Sequence, residues 1–139
     1  MKRHVCIAVL LAAVALAAGC QRRFPVYNVI DAPVPTSPGH SLTSSEVHDA
    51  IVAALAAKRW RIVTEREGEI DARTNPRTHV ADITIKYSAT SYGIEYKDSV
   101  NLLYDETNIH RNYNKWIQLL REQIDAKLSN ALWPPASGT

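Results

Sequence analysis

The stretch Trp60-Arg61-Ile62-Val63-Thr64-Glu65-Arg66-Glu67-Gly68-Glu69-Ile70-Asp71-Ala72-Arg73-Thr74 alternates apolar and polar side chains on either side of a Glu67-Gly68 step. Successive side chains of a strand point to opposite faces, so this alternation predicts two half-buried strands. Trp60, Ile62 and Thr64 are expected on one face, with Arg61, Val63 and Glu65 on the other. Ile70, Ala72 and Thr74 likewise oppose Glu69, Asp71 and Arg73. Gly68 suits the left-handed position of a tight hairpin turn.

Working outward, Asn75-Pro76 ends the second strand, and a third runs over about residues 78–87 with Ala81, Ile83, Ile85 and Tyr87 on one face. Ser88-Ala89-Thr90 turns the chain into a fourth strand carrying Tyr92, Ile94 and Tyr96, which continues toward Val100 and Leu102. Upstream, Thr43-Ser44-Ser45-Glu46 is a capping box: the threonine oxygen accepts from the Glu46 amide while the glutamate reaches back. It opens a helix to about Lys58 whose stripe holds Val47, Ile51, Ala54 and Leu55, with no glycine to mark its end. Downstream, Ile109, Tyr113, Trp116, Ile117, Leu120, Ile124 and Leu128 recur at helical spacing. That predicts a helix over about 110–132 with Asn108 as its N-cap, stopped by Pro134-Pro135. The expected fold is α+β: a two-layer sandwich in which a four-stranded antiparallel meander is flanked by an N-terminal and a C-terminal helix, order αββββα.

The chain has 139 residues, 16 basic and 14 acidic, and 46% of them are apolar. Fifteen of the apolar residues fall in positions 1–19, whose basic residues are Lys2 and Arg3. Removing that segment leaves 139 − 19 = 120 residues and 16 − 2 = 14 basic against 14 acidic side chains, a net charge of zero. A neutral remainder excludes a strongly basic nucleic-acid binder. Lys2-Arg3-His4 followed by an uncharged run from Val5 to Ala18 has the form of a signal peptide, too short for the roughly twenty residues of a spanning helix. Leu16-Ala17-Ala18-Gly19-Cys20 has the form of a lipobox, in which small residues precede a cysteine whose thiol takes a diacylglycerol. Cys6 leaves with the leader, so Cys20 has no disulfide partner within the chain. The expected layout is a lipoprotein signal peptide over 1–19, lipidated Cys20 with a Pro-rich tether over 20–41, an α+β domain over 42–133 and a flexible tail over 134–139. Pro25, Pro33, Pro35 and Pro38 favour extended geometry, giving a tether of about 60 Å at about 3.1 Å per residue. Phe24, Val26, Tyr27, Val29 and Ile30 form an apolar run that lies against the domain or adds an edge strand.

The residues that carry chemistry are few. There is no Gly-rich phosphate loop, nucleophile elbow or Cys/His cluster at metal spacing, so no metal and no cofactor are expected. Glu65, Glu69, Asp71, Asp82 and Glu95 are expected on the outer sheet face among Arg61, Arg73, Lys86 and Lys97, as solvated cross-strand pairs. Between the fourth strand and the last helix, Ser99, Asn101, His110 and Asn114 stand near Tyr96 and Trp116. Those six side chains either line a small polar-ligand or partner contact or tie the crossover together.

The early Ala/Ile-rich helix, Arg59-Trp60, Ile83-x-Ile85-x-Tyr87, Ile94-x-Tyr96 and Ile109-His110-x-x-Tyr113-Asn114-x-Trp116-Ile117 together resemble a family of small proteobacterial lipoproteins without assigned function. The resemblance covers about residues 47–128, implies an envelope location and carries over no catalytic residue. In such lipoproteins Asp after the lipidated cysteine marks inner-membrane retention; Gln21 therefore implies the outer membrane, facing the periplasm. The expected function is a non-enzymatic interaction module, anchored in the bilayer through acylated Cys20 and binding an envelope protein partner, with no nucleic-acid partner. The alternatives are a peptidoglycan or glycan binder stacking on Tyr92, Tyr96, Tyr104 and Trp116, and a small hydrolase using His110 with Ser99 or Asp98. Replacing Cys20 by Ser is expected to leave the chain unacylated and poorly processed, as read by metabolic acyl labelling; normal labelling of that variant would overturn the lipobox assignment.

Overall fold

A computed structural model of the chain describes residues 22–133. The expected signal peptide, Cys20 and the tail 134–139 lie outside the described residues. In chain order the elements are β1 (Arg23–Pro25), β2 (Val29–Pro33), β3 (Thr36–Ser37), β4 (His40–Ser41), α1 (Ser44–Ala57), β5 (Arg61–Arg66), β6 (Glu69–Thr74), β7 (Val80–Tyr87), β8 (Ser91–Val100), β9 (Asn108–His110) and α2 (Arg111–Leu132). The fold is α+β, with both helices over an antiparallel sheet of five strands in the order β2-β8-β7-β6-β5.

Strands β5 to β8 are the expected meander, but the sheet is not closed at β8. β2 adds a fifth strand antiparallel to it, Val29 opposite Ile94 and Ala32 opposite Tyr92. The tether expected over 20–41 is thus corrected from Arg23 onward: β1 pairs with β9, and β3 with β4 around left-handed Gly39. The cause is burial. Val29, Ala32, Val34 and Leu42 are each no more than 5% exposed, and the hydrophobic gain from covering them offsets the entropy lost in fixing the segment on the domain. Pro25 and Pro33 end their short strands, where a missing amide is tolerated. Opposite Gly93, β2 bulges through Ile30 and left-handed Asp31. A Cβ on Gly93 would sit 3.0 Å from the Val29 carbonyl oxygen, tighter than side chains ordinarily pack, so this close approach favours glycine.

One sheet face is the core. Ile70, Ala72, Ile83, Ile85, Tyr92 and Ile94 are buried beneath Val47, Ile51 and Leu55 of α1 and Tyr113, Ile117, Leu120 and Ile124 of α2. On the other face the expected cross-strand pairs form. Arg73 holds Asp82 in a two-pronged bond at 2.6 and 2.7 Å, and Lys86 reaches Glu95 at 3.1 Å. Asp71, expected to be solvated, is instead buried at 8% exposed, and it accepts from Lys97 Nζ at 2.6 Å, Thr84 at 2.6 Å and Thr64 at 2.9 Å. Those partners, Lys97 foremost, pull its pKa down to about 2.

Two bulges change which side chains share a face. The register shift between Ile62 and Thr64 leaves Val63 extra, so Thr64 stands opposite Asp71 on the outer face and Glu65 opposite Ile70 on the helix side. The expected outward position of Glu65 is thereby corrected: its carboxylate meets His48 Nε2 of α1 at 2.8 Å. A second shift, between Asp82 and Ile83, places Lys97 and Asp98 together on the outer side.

The capping box of α1 forms as read, with Glu46 N donating to Thr43 Oγ1 at 3.2 Å and Thr43 N to Glu46 Oε2 at 2.8 Å. Its C-terminus is closed by a Schellman motif, Trp60 N to Leu55 O at 2.9 Å and Arg59 N to Ala56 O at 3.1 Å. The residue that must turn left-handed there is Arg59, at φ +59°. Glycine takes this position without the Cβ penalty. Replacing Arg59 by Gly should therefore raise the unfolding free energy by about 1 kcal/mol in urea titrations; a loss of similar size would show that the arginine side chain itself holds the turn.

Candidate functional site

The six candidate residues are distributed over three local structures rather than one pocket. Asn114, in the first turn of α2, clamps the incoming N-terminal segment: its Nδ2 donates to the Pro25 carbonyl at 2.9 Å and its Oδ1 accepts from Tyr27 N at 3.0 Å. Both ends of the amide are engaged, which makes it a structural tie.

Tyr96 and Ser99 bond to each other, Oη to Oγ at 2.9 Å, and the Tyr96 ring lies 4.3 Å from that of Tyr104 and 5.5 Å, edge-on, from that of Tyr113. The Tyr113 hydroxyl is buried with no hydrogen-bond partner among the described residues, and burial pushes its ionisation far up. Tyr92 is in the core and donates to Asp125 Oδ1 at 2.5 Å. It is not available as a stacking surface.

Asn101, His110 and Trp116 meet around His79. Asn101 is left-handed at φ +59°, and its Nδ2 donates to Thr78 O at 2.8 Å. Its own carbonyl accepts from His79 Nδ1 at 2.8 Å. The His79 ring is 6.2 Å from that of His110, nearly parallel, and 6.4 Å from that of Trp116. His110 caps α2, its Nδ1 accepting from Asn112 N at 3.2 Å. This corrects Asn108, expected as the cap. Asn108 belongs to β9 and is bonded instead to Asp105, its N donating to Oδ1 at 2.7 Å. Pairing of β9 with β1 keeps the chain extended two residues longer than the helical pattern suggests.

The polar candidates are thus largely occupied by internal bonds, and among the described residues none joins His110 to Ser99 or Asp98. Nor do three or more His, Cys, Asp or Glu side chains gather as a metal set among those residues. Trp116 differs. Placed by helical spacing on the core stripe, it is only partly buried and lines a cleft of about 160 Å³ with Trp60, Lys58, Arg59, Pro76 and Leu119. Sequence reasoning placed none of those five at a site. The signal available was a helix ending without glycine, which forces some other residue into the left-handed turn.

Protein-family models, curated proteins and solved structures give no match to this chain. The site therefore has to be read from its geometry.

Burial, His79, Arg111 and Arg22 hold the His110 imidazole below its ordinary pKa of 6.5. A histidine depressed in the folded state binds fewer protons than in the unfolded chain, so its contribution to stability falls as pH drops below that ordinary value. Replacing His110 by Asn keeps a competent cap and removes the titration. In thermal melts from pH 7 to 5, stability of the native protein relative to this variant should decline steadily; parallel curves would show that His110 is not depressed.

Proposed function

We infer that the protein is a lipid-anchored interaction module of the bacterial envelope, held by acylated Cys20 in the outer membrane and binding a protein partner on the periplasmic side. The support for the anchor is the order of basic segment, apolar run and Leu16-Ala17-Ala18-Gly19-Cys20. The support for the binding role is one observation, Arg59. It occupies, at φ +59°, a turn position where glycine is cheaper, and it does so on the rim of the Trp60–Trp116 cleft. Strain retained beside a concave aromatic surface marks a side chain kept for contact. Lys58 adds a second cation to that rim.

An aromatic floor with a cationic rim suits a partner segment that inserts one apolar or aromatic side chain beside a carboxylate. Tryptophan and arginine are the side chains on which binding energy concentrates. The sheet edges are less suited to partner pairing. β5 is bulged and carries Arg61, Glu65 and Arg66, and β2 is bulged and ends in Pro33. Of the aromatic set a glycan binder would use, Tyr92 is in the core, which favours the protein partner.

A photo-crosslinking residue at Leu119 in intact cells should trap a specific envelope protein. Trp116→Ala and Arg59→Gly should each weaken that adduct by about tenfold or more, the second while stabilising the fold. Adducts only with abundant porins, or adducts equal in all variants, would overturn the reading.

A further inference from the structure

The described chain begins at Arg22, two positions after Cys20. Arg22 is already tied to the domain, its carbonyl accepting from Arg111 N at 2.9 Å, and Arg23 stands opposite His110 in the β1–β9 pair. Two residues, even fully extended, span at most about 7 Å. Taken with the proposed acylation of Cys20, on which this inference rests, the fold therefore leaves no spacer. An acyl anchor at that position holds the β1–β9 corner of the domain against the headgroups.

That corner has the surface such a placement needs. Leu103 (53% exposed), Tyr104 (42%) and Phe24 (40%) present apolar area around it. The β8–β9 loop that carries the first two is bent through left-handed Asn101, Leu103 and Glu106. An exposed leucine held at φ +53° carries both a backbone and a solvation cost. A contact that covers the side chain removes the second. The loop is held in this form by Asp105, whose Oδ1 accepts from Thr107 N and Asn108 N while Oδ2 accepts from Arg23 at 3.1 Å.

Two hollows flank the ribbon. One, of about 340 Å³, is lined by Arg22, Arg23 and Leu103; the other, of about 680 Å³, by Phe24, Arg111 and Lys115. Among the described residues Arg22, Arg111 and Lys115 make no ion pair, while Arg23 already neutralises Asp105. Four cations against Asp105 and Glu106 leave the corner net positive. Basic side chains at a bilayer surface are attracted to anionic headgroups, and apolar side chains beside them enter the headgroup–acyl boundary.

We propose that this corner, with Leu103, Tyr104 and Phe24 at its tip and Arg22, Arg111 and Lys115 around them, is a membrane-seating surface that docks on the anionic bilayer holding the anchor. The domain then lies on the membrane in a fixed orientation, in place of hanging from a tether over 20–41.

The test uses the full-length acylated protein in phosphatidylethanolamine/phosphatidylglycerol vesicles, with and without brominated acyl chains. Tryptophan introduced by Tyr104→Trp, or by Leu103→Trp as a second variant, should lose roughly twofold more fluorescence to the brominated lipid than the parent protein, as expected for a ring at the headgroup–acyl boundary. Val63→Trp, on edge strand β5, should lose no more than the parent. Flotation of the same samples, with Cys20→Ser freed of residues 1–19 as control, reads the anchor separately. If the acylated protein floats but both loop tryptophans are quenched no more than Val63→Trp, the seating surface is overturned and the anchor stands. If it floats no better than Cys20→Ser, the anchor fails and the seating proposal with it.

Discussion

The structure depends on covering one face of the sheet. Ile70, Ile83, Ile85 and Ile94 are fully buried, and they are covered by Ile51 and Leu55 of α1 and Ile117, Leu120 and Ile124 of α2. Each such side chain contributes roughly 1.5–3 kcal/mol when withdrawn from water, so the shared interface dominates the other interactions described. The charge pairs of the outer face contribute less individually, because Arg73, Lys86 and Lys97 stay about half exposed. Their role is to fix register. Asp71, bonded to strands on both sides and to Lys97 beyond, is satisfied in one arrangement of β5 to β8.

The need for cover also explains the N-terminal segment. A meander of four strands ends at β8 with an open edge and an uncovered end of the core. β2 closes the edge, and β1 with β9 extends the cover past it. Asn114 holds the segment in place from the helix, as Asn28 does from the bulge side by accepting Tyr96 N at 2.9 Å. Asn114, read as part of a polar site, thus holds the segment that precedes β2. The consequence is geometric: the chain joins the domain at Arg22, two positions after Cys20.

Polar satisfaction separates the structural ties from the residues assigned to the proposed contacts. Ser99, Asn101, His110 and Asn114 each have a bonded partner within the chain. Arg59 and Leu103 show the reverse: each occupies a left-handed backbone position that suits another residue, and each directs its side chain to a surface where a partner could meet it. The two surfaces serve different proposed contacts, the cleft a protein and the corner a bilayer.

Element type was legible from the order of residues because it depends on near neighbours. The period of two in Trp60–Thr74, the capping box at Thr43–Glu46 and the stripe from Tyr113 to Leu128 each describe a local strand or helix with one apolar side, and each is present. What tertiary structure decided depends on residues far apart in the chain. Whether Val29–Pro33 is tether or strand turns on the free edge of β8, more than fifty positions later. Whether Glu65 faces water or His48, 17 positions earlier, turns on the bulge in β5 and the packing of α1 over it. His110 replaces Asn108 as cap because β1 claims Asn108 first. In each case the local pattern allowed two outcomes, and a long-range pairing that buries apolar area or satisfies a carboxylate selected one.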